Sequence, residues 1–174
     1  MLHKKNVDDF IRRHSLGKAI ICLHASFKSF GKVAAGPSLL IDAFLAADCT
    51  LLCPAFFYES ETYCPGENYR TNGVDYATVG TLPAVNYVDA AEQIDVSMGV
   101  VPRTILKYPS AQRTRNPLNS FTAIGSQAGS LLQDQHLLQV YSAYKAIYQN
   151  SLPAYIVLAG VDFSSCTPIH FAEE

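Results

Sequence analysis

The sequence lacks the features that mark several large classes of protein. Basic residues are not in excess, since 13 Lys and Arg stand against 15 Asp and Glu. A nucleic-acid-binding protein normally carries a surplus of clustered basic side chains, so we expect no nucleic acid partner. No apolar run reaches the roughly 18 to 20 residues that cross a bilayer, and charges are spread through residues 1–15. We therefore expect no membrane partner and a cytoplasmic location.

Cysteine pairs with the spacing of a metal site are also missing. The cysteines are Cys22, Cys49, Cys53, Cys64 and Cys166, and no two of them form a CxxC pair. An odd number without that pair favours reduced thiols over a zinc site or a disulfide framework, and we expect no bound metal. The 174 residues, 49% of them hydrophobic, are enough for one packed core, so residues 1–174 are expected to form a single domain.

Apolar segments of strand length alternate with segments of helical periodicity. Strands are predicted at Lys18–Ala25, Leu51–Phe57, Phe121–Gly125 and Ala154–Val161. Helices are predicted at Val7–His14, from Pro37 onward, and at Gln127–Leu132 and Leu138–Gln149. The alternation predicts an α/β fold in which helices cover both faces of a sheet.

Two adjoining segments carry opposite charge. Residues 58–97 contain the acidic residues Glu59, Glu61, Glu67, Asp75, Asp89, Glu92 and Asp95, and Arg70 is their one basic residue. Residues 98–115 contain Arg103, Lys107, Arg113 and Arg115 and no acidic residue. Opposite charges favour two ligands of opposite sign, although a solvated acidic loop beside an ordinary basic helix gives the same pattern.

The C-terminal segment places a histidine where a buried strand gives way to a helix. Thr167 is predicted to cap a helix that begins at Pro168, which puts His170 in the first turn. The positive end of the helix dipole disfavours imidazolium, and a neutral ring can serve as a general base. Glu173 or Asp162 could orient the ring. On the residues alone, a hydrogen-bonded structural histidine remains the alternative.

The loop from His24 to Ser38 is rich in serine and glycine. Gly31 and Gly36 allow close approach of the backbone, and the helix that follows offers N–H groups to an anion. The pattern favours a phosphate-bearing cofactor, but it matches neither a P-loop nor a GxGxxG fingerprint, so an ordinary loop stays an alternative.

Residues spaced along most of the chain match the motifs of one known family. The matching positions are His24, Ser26, Phe30, Gly31, Val33, Gly36 and Pro37; Cys53 and Pro54; Met98, Gly99 and Pro102; Arg113, Pro117, Ser120, Ala123 and Gly125; and Gly160, Val161, Thr167, His170 and Glu173. With these residues the chain resembles the aminoglycoside 3-N-acetyltransferases. The resemblance implies a mixed sheet and transfer of an acetyl group from acetyl-CoA to an amine of an aminoglycoside antibiotic, with no metal.

The resemblance also implies roles for individual residues. His170 is expected to be the general base of direct transfer, with Glu173 and Asp162 beside it and backbone N–H groups near Ser26 stabilising the oxyanion. Cys166 keeps an acetyl-cysteine route open as an alternative. The expected cofactor contacts are His24, Ser26, Phe27, Phe30, Gly31, Val33, Gly36, Arg113 and Ser120. The expected contacts to the amine are Glu59, Tyr63, Glu67, Asp75 and Asp95.

The chain also departs from the family pattern. Asn116 stands where the family usually has His, and Ala55 follows Pro54 where the family commonly has Thr. The family continues beyond its His-x-Ala-Glu motif, so we expect a C-terminally shortened member or a fragment, whose exposed sheet edge would favour a homo-oligomer. A CoA-binding remnant without turnover is the second hypothesis. A hydrolase using Ser26 is the third, although the chain has no GxSxG elbow.

Overall fold

The fold is known from a computed structural model that describes residues 1–58, 92–116, 118–136 and 139–173. The helices are α1 (Lys4–Arg13), α2 (Ser38–Ala46), α3 (Val100–Ile105), α4 (Ala128–Leu132), α5 (Ser142–Tyr148) and α6 (Pro168–Ala172). The strands are β1 (Ile20–Ala25), β2 (Thr50–Pro54), β3 (Gln112–Arg113), β4 (Phe121–Ile124) and β5 (Ala154–Ala159). Single 3₁₀ turns occupy Phe27–Phe30, Val96–Met98 and Phe163–Ser165.

The five strands form one mixed sheet in the order β3-β4-β2-β1-β5. β1 is parallel to both β2 and β5, with Cys22 opposite Leu52 on one side and Ile156 on the other. β4 is antiparallel to β2 and to β3. The carboxyl ends of β1, β2 and β5 therefore meet at one edge of the sheet, where open α/β sheets bind their ligands.

Alternate residues of each central strand bury into opposite sides of the sheet. On one side, Ile21 and Leu23 of β1 pack with Val7 and Ile11 of α1 and with apolar residues of α2. On the other side, Cys22, Leu52 and Phe121 pack with residues of α4 and α5. Both faces are thus covered, which confirms the predicted α/β architecture.

The predicted elements are present, but their ends differ. The strand predicted at Leu51–Phe57 ends at Pro54. The helix predicted to begin at Leu138 begins at Ser142 instead. The described cysteines Cys22, Cys49, Cys53 and Cys166 are all unpaired and buried, as expected, while Cys64 lies outside the described residues. No helix in the described ranges is long and apolar enough to cross a membrane.

Strand β5 is more exposed than the central strands. Its first three residues, Ala154 to Ile156, are exposed, and Ile156 retains 51% of its accessible surface. Among the described residues β5 pairs with β1 alone, so its outer edge is unpaired there.

Candidate active site

A cavity of about 550 Å³ opens at the carboxyl edge of β1, β2 and β5. Its walls are the strand ends Leu23–Ala25 and Cys53–Pro54, the segment from Ser97 to Pro102, and the segment from Val161 to His170. The volume is in the range of ordinary small-molecule sites. The cavity therefore lies at the edge where open α/β sheets bind their ligands.

His170 lies on the wall of this cavity, in the one-and-a-half-turn helix α6. Its Nδ1 atom is 3.3 Å from Oε2 of Glu173, three residues later, and both side chains are more than half exposed. The ring also stacks on Tyr141, with 6.5 Å between ring centroids. These two contacts orient the imidazole, and the Glu173 contact matches the spacing predicted from the sequence.

Asp162 has a different partner from the one expected. Its carboxylate accepts hydrogen bonds from the backbone N–H of Ser164 at 2.9 Å and from the Ser164 hydroxyl at 2.5 Å. The hydroxyl bond, followed by the backbone bond, holds the pKa of Asp162 below its ordinary value. Asp162 thus caps the 3₁₀ turn Phe163–Ser165, and among the described contacts Glu173 is the carboxylate that meets His170.

The expected capping role of Thr167 is wrong. Thr167 precedes Pro168 at the start of α6, but its side chain makes no capping hydrogen bond and its backbone is already helical, with φ −55° and ψ −27°. An N-cap side chain normally reaches its N–H partner from an extended backbone, so this conformation does not favour the bond. The start of α6 is set instead by Pro168, whose ring fixes a helical φ.

The serine-rich loop begins directly after β1 and crosses over to β5. The backbone N–H of Ser26 donates to the carbonyl of Ala159 at 3.0 Å. The Ser26 amide is therefore occupied, and an oxyanion contact from backbone N–H groups near Ser26 stays a prediction. Gly31 and Gly36 have φ of 63° and 71°, and a Cβ at either would meet nothing within 4 Å, so open space adjoins both backbones.

A contact between Ser29 and Gly160 holds this loop against the end of β5. The sequence analysis did not predict this contact. The Ser29 hydroxyl donates to the Gly160 carbonyl at 2.9 Å. Gly160 has φ of 73°, and a Cβ placed there would lie 2.7 Å from the Cβ of Ser29. The Gly-Val pair after an apolar strand was the available signal for a close approach, but nothing in the sequence identified its partner.

His24 lies at the end of β1 and is 7% exposed. Burial lowers its pKa to about 4, against the opposing effect of a hydrogen-bond interaction with the backbone of Ser165. Its Nε2 atom is 3.5 Å from Sγ of Cys22. The imidazole is therefore neutral at physiological pH, and its polar atoms meet groups of the protein itself.

Three buried cysteines, Cys22, Cys53 and Cys166, lie at or near the cavity. Burial raises the pKa of Cys53 to about 12, and burial, followed by the neighbouring Cys53 and Cys166, raises that of Cys22 well above its ordinary value. Both thiols stay protonated, so neither is a nucleophile in this fold. Cys166 is 6% exposed and lines the cavity four residues before His170.

Arg113 and Ser120, predicted to contact the cofactor, form a partly buried cluster. The guanidinium of Arg113 donates to the carbonyls of Ala55 at 2.8 Å and Gln93 at 2.5 Å, and to the Ser120 hydroxyl at 3.0 Å. Ser120 in turn donates to Ala55 at 2.5 Å. Neither residue is among the described residues that line the cavity, and a direct phosphate contact by Arg113 stays a prediction.

Asn116, which replaces the histidine of the family pattern, closes a turn. It is 5% exposed, and its Oδ1 atom accepts from the backbone N–H groups of Leu118 at 3.1 Å and Asn119 at 2.8 Å. An amide oxygen that accepts two backbone bonds is typical of a loop-forming asparagine. At this position the chain uses the side chain to shape the loop before β4.

One of the predicted amine contacts can be placed. Asp95 accepts from the backbone N–H and the hydroxyl of Ser97, at 2.8 and 2.6 Å, and Ser97 lines the cavity. The other predicted contacts lie outside the described residues, and these are Glu59, Tyr63, Glu67 and Asp75. Asp95 thus brings one carboxylate of the acidic segment close to the cavity mouth.

Comparison with known proteins agrees with this arrangement. The family model described as aminoglycoside 3-N-acetyltransferase matches residues 22–174. An aminoglycoside N(3)-acetyltransferase IV from Salmonella sp is 25% identical over 159 residues, which cover 88% of this chain and 51% of that protein. The chain therefore spans about half the length of this curated relative.

Solved structures share the fold. The aminoglycoside acetyltransferase AAC(3)-IIb is matched with a TM-score of 0.77 and 23% identity, over 99% of this chain and 64% of that one. The YokD protein of Bacillus subtilis is matched with a TM-score of 0.74 and 24% identity, over 98% of this chain and 69% of that one. The family match over residues 22–174 shows that the chain belongs to the aminoglycoside 3-N-acetyltransferase family.

Proposed function

We propose that this protein transfers an acetyl group from acetyl-CoA to an amino group of an aminoglycoside or a related small amine. The observation that carries the proposal is the pairing of His170 with Glu173 on the wall of a cavity at the carboxyl edge of the sheet. A neutral imidazole beside a carboxylate can accept the proton that an attacking amine must lose.

The coenzyme would lie along the loop that follows β1. The open space beside Gly31 and Gly36 lets a ligand approach the backbone closely, and Lys28 and Lys32 are exposed on the same loop, where they can meet phosphates. We assign the cofactor contacts to the Ser26–Gly36 loop, with Ser26, Phe27, Phe30, Gly31, Val33 and Gly36 as the predicted residues. Acetyl-CoA enters as a co-substrate, and no metal takes part in the proposed reaction.

The proposed reaction is direct transfer. The amine nitrogen attacks the thioester carbon, a C–N bond forms, the C–S bond breaks, and the CoA sulfur leaves with the bonding electrons. His170 takes the proton from the amine, and its Nδ1 contact with Glu173 leaves Nε2 as the basic atom. The Ser26 amide is already bonded to Ala159, so the oxyanion requires a different donor.

The acidic segment supports a polycationic acceptor. Residues 58–97 carry seven acidic residues and one basic residue, Arg70, and Asp95 lies beside a cavity-lining serine. An aminoglycoside carries several ammonium groups, which carboxylates bind favourably at a site partly shielded from water. Two of the similar proteins are named aminoglycoside acetyltransferases, which supports the same class of acceptor.

A thiol-release assay with acetyl-CoA and either kanamycin or gentamicin tests the proposal, with calorimetry of CoA binding beside it. Release of free CoA that depends on the amine supports it. Coenzyme binding without amine-dependent release would instead favour a remnant that binds CoA without turnover.

The covalent alternative has its own test. Cys166 lines the cavity near His170, so a thiolate there could accept the acetyl group first. Mass spectrometry after exposure to acetyl-CoA alone should show no adduct on Cys166, and Cys166→Ala should retain transfer. An acetylated Cys166 peptide that disappears on adding the amine would replace direct transfer with the two-step route.

A further inference from the structure

The contacts within α6 cannot by themselves place the ring of His170 in the fold. Helix α6 has five residues, and no side chain caps its first turn. Glu173, the carboxylate that meets the ring, directly follows the same helix, so the pair moves with α6 as one unit. The His170 side chain is 60% exposed, so burial does not hold it either. A contact from outside α6 is needed to fix the ring relative to the cavity.

Tyr141 supplies a contact from outside α6. It directly precedes α5, and its ring lies nearly parallel to that of His170, with 21° between the planes and 6.5 Å between the centroids. Offset parallel rings at such a separation attract each other. The described lining of the cavity includes His170 but not Tyr141. Tyr141 is therefore placed to act on the imidazole, and not on a ligand.

Tyr141 is itself held by buried aromatic rings. It stacks on Tyr144 of α5, with 6.1 Å between the centroids and 21° between the planes. Tyr144 is 3% exposed and packs at 4.9 Å and 78° against Phe121 of β4, which is fully buried. This edge-to-face arrangement is a favoured geometry for aromatic pairs. The rings of His170, Tyr141 and Tyr144 thus form a stack whose inner end rests on the sheet.

The residue after His170 packs on the same helix. The ring centroid of Phe171 is 6.5 Å from that of Tyr144, and Phe171 packs against the buried cluster that contains Phe121. Phe171 therefore holds α6 against α5, while Tyr141 meets the ring of His170. The two contacts have different consequences, since the first sets the position of the helix and the second sets the orientation of one side chain.

We propose that Tyr141 is a positioning residue, whose ring face sets the plane of the His170 imidazole and so keeps Nε2 directed toward the attacking amine. This inference rests on the proposed function, in which Nε2 takes the proton. Proton transfer requires hydrogen-bond reach and alignment, so the orientation of an exposed ring affects the rate. The role requires an aromatic face at position 141 and does not require the hydroxyl.

The kinetic test compares Tyr141→Leu with Tyr141→Phe in the full chain. Phenylalanine keeps the ring face, whereas leucine is apolar and has none. We expect Tyr141→Leu to lower kcat about 10- to 30-fold and to change the Kd for CoA by less than about twofold, because a misdirected base costs rate and not coenzyme affinity. Tyr141→Phe should keep kcat within about threefold of the wild type.

Tyr148→Leu is the matched control. Tyr148 is the last residue of α5 and is 82% exposed, and within the described part of the chain no ring contact joins it to His170. The same change of residue type at this position should leave kcat within about twofold of the wild type. An equal loss in Tyr148→Leu and Tyr141→Leu would show a general effect on α5 and would refute the specific role of Tyr141.

Nuclear magnetic resonance gives a readout that does not depend on turnover. Nuclear Overhauser contacts between the ring protons of Tyr141 and His170 should be present in the wild-type protein. At fixed pH, the ring resonances of His170 should shift in Tyr141→Leu and stay near their wild-type positions in Tyr141→Phe and Tyr148→Leu.

Three further results would overturn the inference. The first is a wild-type kcat in Tyr141→Leu, and the second is an equal loss of kcat in Tyr141→Phe, which would assign the effect to the hydroxyl. The third is a folded wild-type protein without Overhauser contacts between the two rings. If the wild type shows no acetyl transfer, the proposed function fails, and the spectra still decide whether Tyr141 holds the ring. If Tyr141→Leu does not fold, the wild-type Overhauser contacts decide it.

Discussion

Ser29 and Gly160 interlock where the loop at residues 26–36 meets the end of β5, with the Ser29 hydroxyl 2.9 Å from the Gly160 carbonyl oxygen. The two residues lie 131 positions apart, so the bond connects the loop after β1 to the segment between β5 and α6. Glycine is required there, since φ is 73° and a Cβ would overlap that of Ser29 at 2.7 Å.

Gly160→Ala should therefore destabilise the protein by about 2 to 4 kcal/mol, from the left-handed backbone and the overlap together. Gly36→Ala is the matched control, because it has φ of 71° and no neighbour within 4 Å of a new Cβ. The control should lose only the backbone contribution of about 1 to 2 kcal/mol. Urea unfolding followed by circular dichroism measures both, and equal losses would show that the Ser29 overlap is relieved without cost.

His170→Ala should lower the rate of acetyl transfer at least about a hundredfold and leave CoA affinity nearly unchanged, because a positioned base contributes on the order of 10² to 10⁴. Glu173→Gln should cost less, since the ring keeps its stacking on Tyr141 and loses only the charged partner of Nδ1. Steady-state kinetics with one aminoglycoside gives both values. Normal transfer by His170→Ala would remove His170 from the mechanism.

Stability should fall as the pH falls below neutrality because of His24. The ring has a pKa of about 4 in the fold, lowered by burial from an ordinary value of 6.5. The unfolded chain therefore binds a proton between these values while the folded chain does not, and stability present above about pH 6.5 is lost toward pH 4. The full difference corresponds to about 3 kcal/mol.

Urea titrations at pH 7, 5.5 and 4.5 measure this loss, with His24→Asn as the control. Asparagine cannot ionise, so the variant should show a shallower dependence over the same range. The same slope in both proteins would assign the pH dependence to other groups.

Arg113 should prove more important for stability than for coenzyme binding. Its guanidinium bonds the carbonyls of Ala55 and Gln93, and charged hydrogen bonds of this kind contribute about 1.5 to 3 kcal/mol each. Arg113→Ala should lower the free energy of unfolding by about 2 to 4 kcal/mol. Lys107→Ala removes a cation from an exposed position and should change it by less than about 0.5 kcal/mol.

Calorimetry with CoA separates the two interpretations of Arg113. A folded Arg113→Ala protein that has lost at least tenfold in CoA affinity, with little loss of stability, would support the phosphate contact predicted from the sequence. Unchanged affinity would leave Arg113 as the clamp between β2, β4 and the segment at Gln93.

The alternation of apolar strands and amphipathic helices was enough to predict the α/β architecture, because both patterns are local. The direction of β4 was not predictable in this way. The stretch Phe121–Ile124 is equally apolar in either direction, and only its pairing with Leu51–Pro54 makes it antiparallel.

The site shows the same division between local and distant information. The His170–Glu173 contact follows from helical spacing within one segment, so the sequence revealed it. Ala55, a partner of Arg113, and Gly160, the partner of Ser29, lie 58 and 131 residues away, which no local pattern specifies. The resemblance to the family identified Arg113 but not Ser29, and it did not show what either side chain contacts.

The protonated thiols of Cys22 and Cys53 offer a way to watch the molecule open. Cys22 packs against α4 and α5 and Cys53 against the layer on the opposite side, each 2% exposed or less. Both sulfurs are buried although Cys53 borders the cavity, so a thiol reagent reacts with either one only when the packing around it opens. Alkylation rates at the two positions, resolved by mass spectrometry, would therefore show whether the two halves of the interior unfold together or one after the other.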